Sequence, residues 1–164
     1  MQAIVAQLQA KRLFPERARA LELFGMYGFW ATMDYLPRVE SLDFFEIDEA
    51  RLHLSRRNLR SPKVTFHAAD SMQFVATTDR RYDFIVADPP VTEGGFYDEK
   101  GLPVFYENLV RVAAPGAVIV AGVKAASLSS FGEVERAMLA RAQDRPVADF
   151  FFEFASFDMY NWTV

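Results

Sequence analysis

One pattern limits what this chain can fold into: the stretch Leu21-Glu22-Leu23-Phe24-Gly25-Met26-Tyr27-Gly28 and its later echo, Tyr82-Asp83-Phe84-Ile85-Val86-Ala87-Asp88-Pro89-Pro90. Each is an apolar run that ends in an acidic residue or a glycine turn. Buried parallel strands read as near-continuous apolar runs, and they deliver ligand-binding loops at their carboxyl ends. The first stretch therefore predicts a nucleotide site and the second a place where chemistry occurs.

The segments around these runs alternate. An amphipathic helix over residues 2–13, carrying Ile4, Val5, Leu8 and Leu13, precedes a strand over 17–24. After the glycine turn at 25–28, residues 29–35 start a helix that stops before Pro37. A strand is expected at 38–47 and a helix at 48–59, with Asp48 as N-cap and basic residues towards its C-terminal end. Then come a strand at 63–67, a short helix at 71–77, a strand at 81–87 and a helix at 103–112 with proline in its first turn. Pro115-Gly116 is expected to break that helix. A strand follows at 117–123, and a helix at 131–142 carries Val134, Met138 and Leu139 on one face. Two β-rich runs, 147–157 and 159–164, close the pattern as an antiparallel pair. The alternation implies an α/β, doubly wound, mostly parallel sheet of about seven strands ending in an antiparallel β-hairpin, with residues 1–164 as a single domain.

Composition narrows the function classes. At 164 residues, half of them hydrophobic, with 16 Phe, 6 Tyr and 2 Trp, the chain can bury roughly 70% of its unfolded surface without metal or disulfide. No run approaches the length of a membrane span, and the first residues lack the basic n-region of a signal peptide, so a cytoplasmic location is expected. The absence of cysteine excludes thiol chemistry and cysteine metal sites; His53 and His67 stand alone, so no metal is expected. A net charge of −4 opposes strong, sequence-independent attraction to nucleic-acid phosphates.

Five βα units and a terminal hairpin, with an acid before the first glycine turn, resemble the class I, Rossmann-like S-adenosylmethionine (SAM) dependent methyltransferases over nearly the whole chain. In the variant common among amino-methyltransferases the first motif reads Asp-x-Phe-x-Gly-x-Gly. Glu22, Phe24 and Gly28 match it; Met26 occupies the middle glycine position, with Gly25 before it. Either Gly25 relieves the crowding at that position or the cofactor sits differently. The resemblance implies that Glu22 faces the amino group of the methionine moiety, a place where the pyrophosphate of NAD would be repelled. At the end of the second strand, Glu46 is expected to accept hydrogen bonds from the ribose hydroxyls, with Ile47 beside it. Asp70, with Ser71 after it, falls where the family reads the exocyclic amine of adenine; an N-cap for the next helix is the other reading, and both roles can coexist.

The fourth landmark is Asp88-Pro89-Pro90. Methyl transfer to an amine needs an unprotonated lone pair aimed in line at the donor carbon. Acceptors that hold the two N–H groups orient that lone pair and favour the developing positive charge. The resemblance to the Asp/Asn-Pro-Pro-aromatic motif of nitrogen methyltransferases makes Asp88 and the Pro89 carbonyl the catalytic pair, with Asp88 also near the cofactor. The usual aromatic is Val91 here, and Pro90, Phe96 and Tyr97 are the expected acceptor contacts. The expected function is SAM-dependent methyl transfer to a nitrogen of a small molecule or peptide, with S-adenosylhomocysteine (SAH) as product. The alternatives are a nucleic-acid amino-methyltransferase, disfavoured by charge and by the missing aromatic; a SAM-binding enzyme of cyclising or aminopropyl-transferring type; and a non-catalytic partner subunit with the same fold.

Three further features remain. Arg51, Arg56, Arg57, Arg60 and Lys63 read as a solvated face ahead of a phosphate-binding patch. The glycine-rich, acidic segment 91–102 suits a lid or substrate wall for a cationic acceptor. Phe150-Phe151-Phe152-Glu153-Phe154 is apolar on both faces, which suggests either core packing or a homodimer through that strand.

Overall fold

The computed structural model describes residues 2–28, 32–89 and 101–121. In chain order these form α1 (Gln2–Ala10), β1 (Arg19–Leu23), α2 (Thr32–Tyr35), a 3₁₀ turn (Leu36–Arg38), β2 (Ser41–Glu46), α3 (Glu49–Asn58), β3 (Val64–Ala68), α4 (Ser71–Thr77), β4 (Tyr82–Ala87), α5 (Gly101–Val112) and β5 (Ala113–Ala121). The five strands make one sheet in the order β3-β2-β1-β4-β5, and every neighbouring pair is parallel. The order reverses between β1 and β4, the switch point beside which doubly wound sheets bind ligands.

The apolar runs explain the layering. Period-two side chains send Leu21, Leu23, Phe45, Ile85, Ala87 and Ile119 to one face, where they meet Val75 of α4 and Phe105, Tyr106, Leu109 and Val110 of α5. Ala20, Leu42, Phe44, Phe84, Val86, Val118 and Val120 go to the other face, covered by Ile4, Val5 and Leu8 of α1, Tyr35, and Leu52 of α3 with Leu59 just beyond it. Phe84 is fully buried between Phe14 (ring centroids 4.8 Å apart) and Tyr35 (5.1 Å), a burial worth about 2–3 kcal/mol. On the first face Phe45 stacks between His67 (4.3 Å) and Phe74 (4.1 Å). Beside that stack Asp43 binds three strands together: His67 Nε2 lies 2.7 Å from Oδ1, while the Tyr82 hydroxyl (2.8 Å) and Arg80 Nη1 (3.2 Å) donate to Oδ2.

Several expected boundaries are corrected. The first helix ends at Ala10 rather than 13, and α5 begins at Gly101 rather than 103. The second helical segment does end at Tyr35, before Pro37, as expected; Pro37 lies in the 3₁₀ turn that follows, where proline in a first turn forfeits no backbone bond. Pro115-Gly116 falls inside β5 rather than before it. The register slips there, from Tyr82↔Ala113 to Phe84↔Val118, and the chain bulges outward with Pro115 and Gly116 exposed and Gly116 at φ 78°. The expected helix at 131–142, the hairpin at 147–164 and the sixth and seventh strands lie outside the described residues.

Candidate functional site

The site is built from the carboxyl ends of β1, β2 and β4 and the turn after β3. After Leu23 the chain leaves β1 through Phe24 (φ 60°), closes a turn in which the Gly28 N–H donates to the Gly25 carbonyl (3.0 Å), and leaves it at Gly28 (φ 72°). Two of the positions require glycine. A Cβ on Gly25 would stand 2.1 Å from Phe44 Cζ, and one on Gly28 would stand 2.7 Å from Leu59 Cδ1. The glycine missing from the motif is therefore not needed for packing: Met26 takes a left-handed φ of 48° and sends its side chain outward, 43% exposed. Gly25 is needed for a different reason from the one its motif position suggests: it makes room for the Phe44 ring.

The turn is held by backbone groups gripped from three sides. Glu46, 4% exposed, accepts the Met26 N–H on Oε2 and the Asp48 N–H on Oε1, both at 2.9 Å. Ser71, also buried, accepts the Phe24 N–H at 3.3 Å. From α3, Ser55 Oγ donates to the Met26 carbonyl (2.6 Å) and Asn58 Nδ2 to the Tyr27 carbonyl (2.7 Å). Neither Ser55 nor Asn58 is among the residues expected from sequence. The signal was there for Ser55, a polar residue on the stripe Leu52, Ser55, Leu59 that α3 and its C-cap turn into the core.

Glu22 stands at the end of β1 as expected, but its carboxylate, 4% exposed, is turned into the protein. Thr32 Oγ1 donates to it at 2.7 and 2.9 Å, and the Tyr35 hydroxyl forms a short hydrogen bond to Oε2. Burial pushes the Glu22 carboxyl up to about 7, against the opposing pull of these two hydroxyls. Burial and the Glu22 charge raise the Tyr35 phenol in turn. In this arrangement Glu22 fastens the start of α2 to β1.

Asp70 fulfils the capping reading: Oδ1 accepts the Met72 N–H (2.8 Å) and the Gln73 N–H (3.5 Å) at the start of α4. Its Oδ2 takes no hydrogen bond among the described residues, so an acceptor remains for a ligand. Ile47, immediately beyond Glu46, is 65% exposed and offers an apolar surface next to two acids. Asp88 and Pro89 follow β4, where the pair Leu23↔Ala87 sets them beside the turn. Although Asp88 is exposed as a residue, desolvation by the surrounding protein raises its carboxyl above the ordinary range. Tyr106 of α5 was not foreseen; it is buried, and burial together with the Asp88 charge raises its phenol. Pro90, Phe96 and Tyr97 lie outside the described residues. Among the described residues, no cluster of His, Asp and Glu could hold a metal, and no helix is long and apolar enough to cross a membrane.

Glu46, Asp70 and Ile47 offer the acceptors and apolar surface that a nucleoside requires, whereas Glu22 is engaged inside the protein. Glu46 keeps spare lone pairs, since a carboxylate offers about four acceptor sites and two are used; Asp70 Oδ2 and the Ile47 surface stand with it along the same sheet edge. Similar folds among solved structures are SAM-dependent methyltransferases. The one from Agrobacterium tumefaciens gives a TM-score of 0.66 at 20% identity over 84% of this chain, which spans only 50% of that protein. N-methyltransferase NodS from Bradyrhizobium japonicum WM9, in complex with SAH, gives 0.62 at 20% identity, over 85% of this chain and 74% of that one. The SAM-bound amino pentose methyltransferase from Micromonospora echinaspora gives 0.54 at 23% identity, over 73% and 48%. No curated protein matches by sequence. The fold is therefore the SAM-binding fold of class I methyltransferases. The family model of the methyltransferase small domain matches residues 5–115, and the chain belongs to that family.

Proposed function

We propose that this chain transfers the methyl group of SAM to a nitrogen of a small molecule or peptide. The observation that carries this reading is the position of Asp88 and Pro89 at the end of β4, one strand from the turn after β1. SAM supplies an electrophilic methyl group on a sulfonium. Glu46, Ile47, Asp70 and the backbone of residues 24–28 would hold it. The Asp88 carboxylate and the Pro89 carbonyl would accept the two N–H groups of an acceptor amine and leave its lone pair directed at the donor. As positive charge builds on nitrogen, the fixed carboxylate stabilises it. The name of one structural neighbour, an N-methyltransferase, agrees with a nitrogen target.

This role requires Asp88 ionised. Because its pKa is raised, the acid limb of the kcat profile is expected above the ordinary carboxylate range, with activity rising with pH. Asp88→Asn should lower kcat, remove that limb and leave SAM affinity within a few-fold of wild type. Loss of SAM affinity with unaltered turnover would reassign Asp88 to the cofactor. Glu46→Gln should act the other way, weakening SAM and SAH binding by the roughly 1.5–3 kcal/mol of charge-assisted hydrogen bonds while kcat at saturating SAM changes little. Calorimetric titration with both nucleosides reads this directly, and unchanged affinity would remove Glu46 from the cofactor site. Release of SAH, rather than methylthioadenosine, separates methyl transfer from the other SAM chemistries.

A further inference from the structure

From Ala50 to Ala69 the chain holds five cations, Arg51, Arg56, Arg57, Arg60 and Lys63, and no acid, a local excess that the overall charge of −4 conceals. Arg51 has a carboxylate in reach, Asp48 Oδ2 at 3.7 Å. Among the described residues none lies within ion-pair distance of Arg56, Arg57, Arg60, Lys63 or Arg38. Backbone carbonyls position three of them instead. Lys63 Nζ donates to the Pro37 carbonyl (3.1 Å) and the Val39 carbonyl (2.8 Å), Arg38 Nη1 to Asp34 (2.9 Å), and Arg60 Nε to Arg57 (3.2 Å). These bonds fix the side chains without neutralising them. The Lys63 contacts also draw the α3–β3 connection against the 3₁₀ turn, which brings Arg38 to the same corner.

A face that serves solubility alone interleaves both signs, with acids at i±4 as the usual partners. The α3 macrodipole accounts for Arg56 and Arg57 in its last turn, but not for Arg38, Arg60 and Lys63 beyond it. We infer that this corner, the exposed face of α3 with Arg38, Arg60 and Lys63, docks the phosphate backbone of a nucleic-acid strand. Four of the five unpaired cations are arginines, whose planar forks match phosphate oxygens. The Arg56 guanidinium is oriented over the Phe66 ring, 5.8 Å from its centroid. A membrane surface fits less well, because Leu54 is the one large exposed apolar side chain of α3. None of these cations is among the residues assigned to the cofactor, and the inference does not depend on which amine is methylated.

The test is fluorescence anisotropy with a labelled, mixed-sequence RNA of about 20 nucleotides, titrated without SAM between about 50 and 200 mM salt. Five phosphate contacts should cost the wild type about 100-fold in affinity across that range. The triple variant Arg56→Gln, Arg57→Gln, Arg60→Gln should bind at least about tenfold more weakly at low salt and lose less than about tenfold across it. Its circular dichroism should match wild type and its Tm fall by only a few degrees, since all three side chains are exposed and what is lost is the helix-end charge and the Arg56 contact with Phe66. Arg17→Gln, which removes a cation already paired with Glu40 at 3.3 Å, should behave as wild type. The same affinity and salt slope in the triple variant would overturn the inference, as would no RNA binding by the wild type. So would equal competition by polyglutamate, or arginine-dependent binding to phosphatidylserine vesicles without RNA binding.

Discussion

Gly25 and Met26 shape the turn after β1 in different ways. Gly25 admits the Phe44 ring and Met26 absorbs the left-handed backbone, which for a residue with a side chain costs about 1 kcal/mol. Gly25→Ala should therefore destabilise by about 1–3 kcal/mol through overpacking. Phe44→Leu in the same chain should recover part of that loss, and urea midpoints of the two single variants and the double variant measure the coupling. Strict additivity would mean that the clash is relieved elsewhere. Little of this was legible from sequence. The motif placed the turn, Glu46 and Asp70, because an acid at a strand end is a local signal. It could not say that Glu22 points into the protein, since that depends on Thr32 and Tyr35 arriving from a later element.

At the scale of elements, α3 contributes more than a covering layer. Ser55 is fully buried and satisfies the Met26 carbonyl, so Ser55→Ala strands an acceptor at a cost of about 1–3 kcal/mol. Amide exchange at Met26 and Gly28 should accelerate more than exchange in β4, and uniform acceleration would show that the bond is global rather than local in effect. Asp48, at the start of α3, was readable as a cap, and its Oδ1 does accept the Ala50 N–H (2.8 Å) and Arg51 N–H (3.0 Å). The α4 boundaries, 71–77, were likewise read correctly, because Asp70 marks the start and the apolar pattern the end. Where β5 begins was misread. Proline and glycine ordinarily punctuate, whereas here they form a bulge within a strand whose pairing with β4 resumes at Val118.

For the whole molecule, alternation of apolar runs and amphipathic segments was enough to predict a parallel, doubly wound sheet, because the inner strands β1, β2 and β4 are buried on both faces, while the edge strand β3 is only half-buried. The order β3-β2-β1-β4-β5 is a long-range property that no single run encodes. One global property follows from a single buried group. The Glu22 carboxyl is raised from 4.5 to about 7, so between those values the folded state holds a proton that the unfolded state has released. Its contribution is complete below about pH 4.5 and fades as pH rises through about 7, a loss of about 3 kcal/mol. Denaturant titrations of wild type and Glu22→Gln across that window should differ in slope, the variant lacking the decline. Parallel curves would mean that Glu22 is ionised throughout.

The turn after β1 is gripped by its amides and carbonyls, with Glu46, Ser55, Asn58 and Ser71 all bonding to backbone rather than to side chains. Inheritance can therefore act on the two layers separately. The Met26 side chain points outward and takes no part in that grip, whereas the four gripping side chains make it. A lineage carrying this turn can change the outward side chain and keep the backbone bonds that fix the turn's shape.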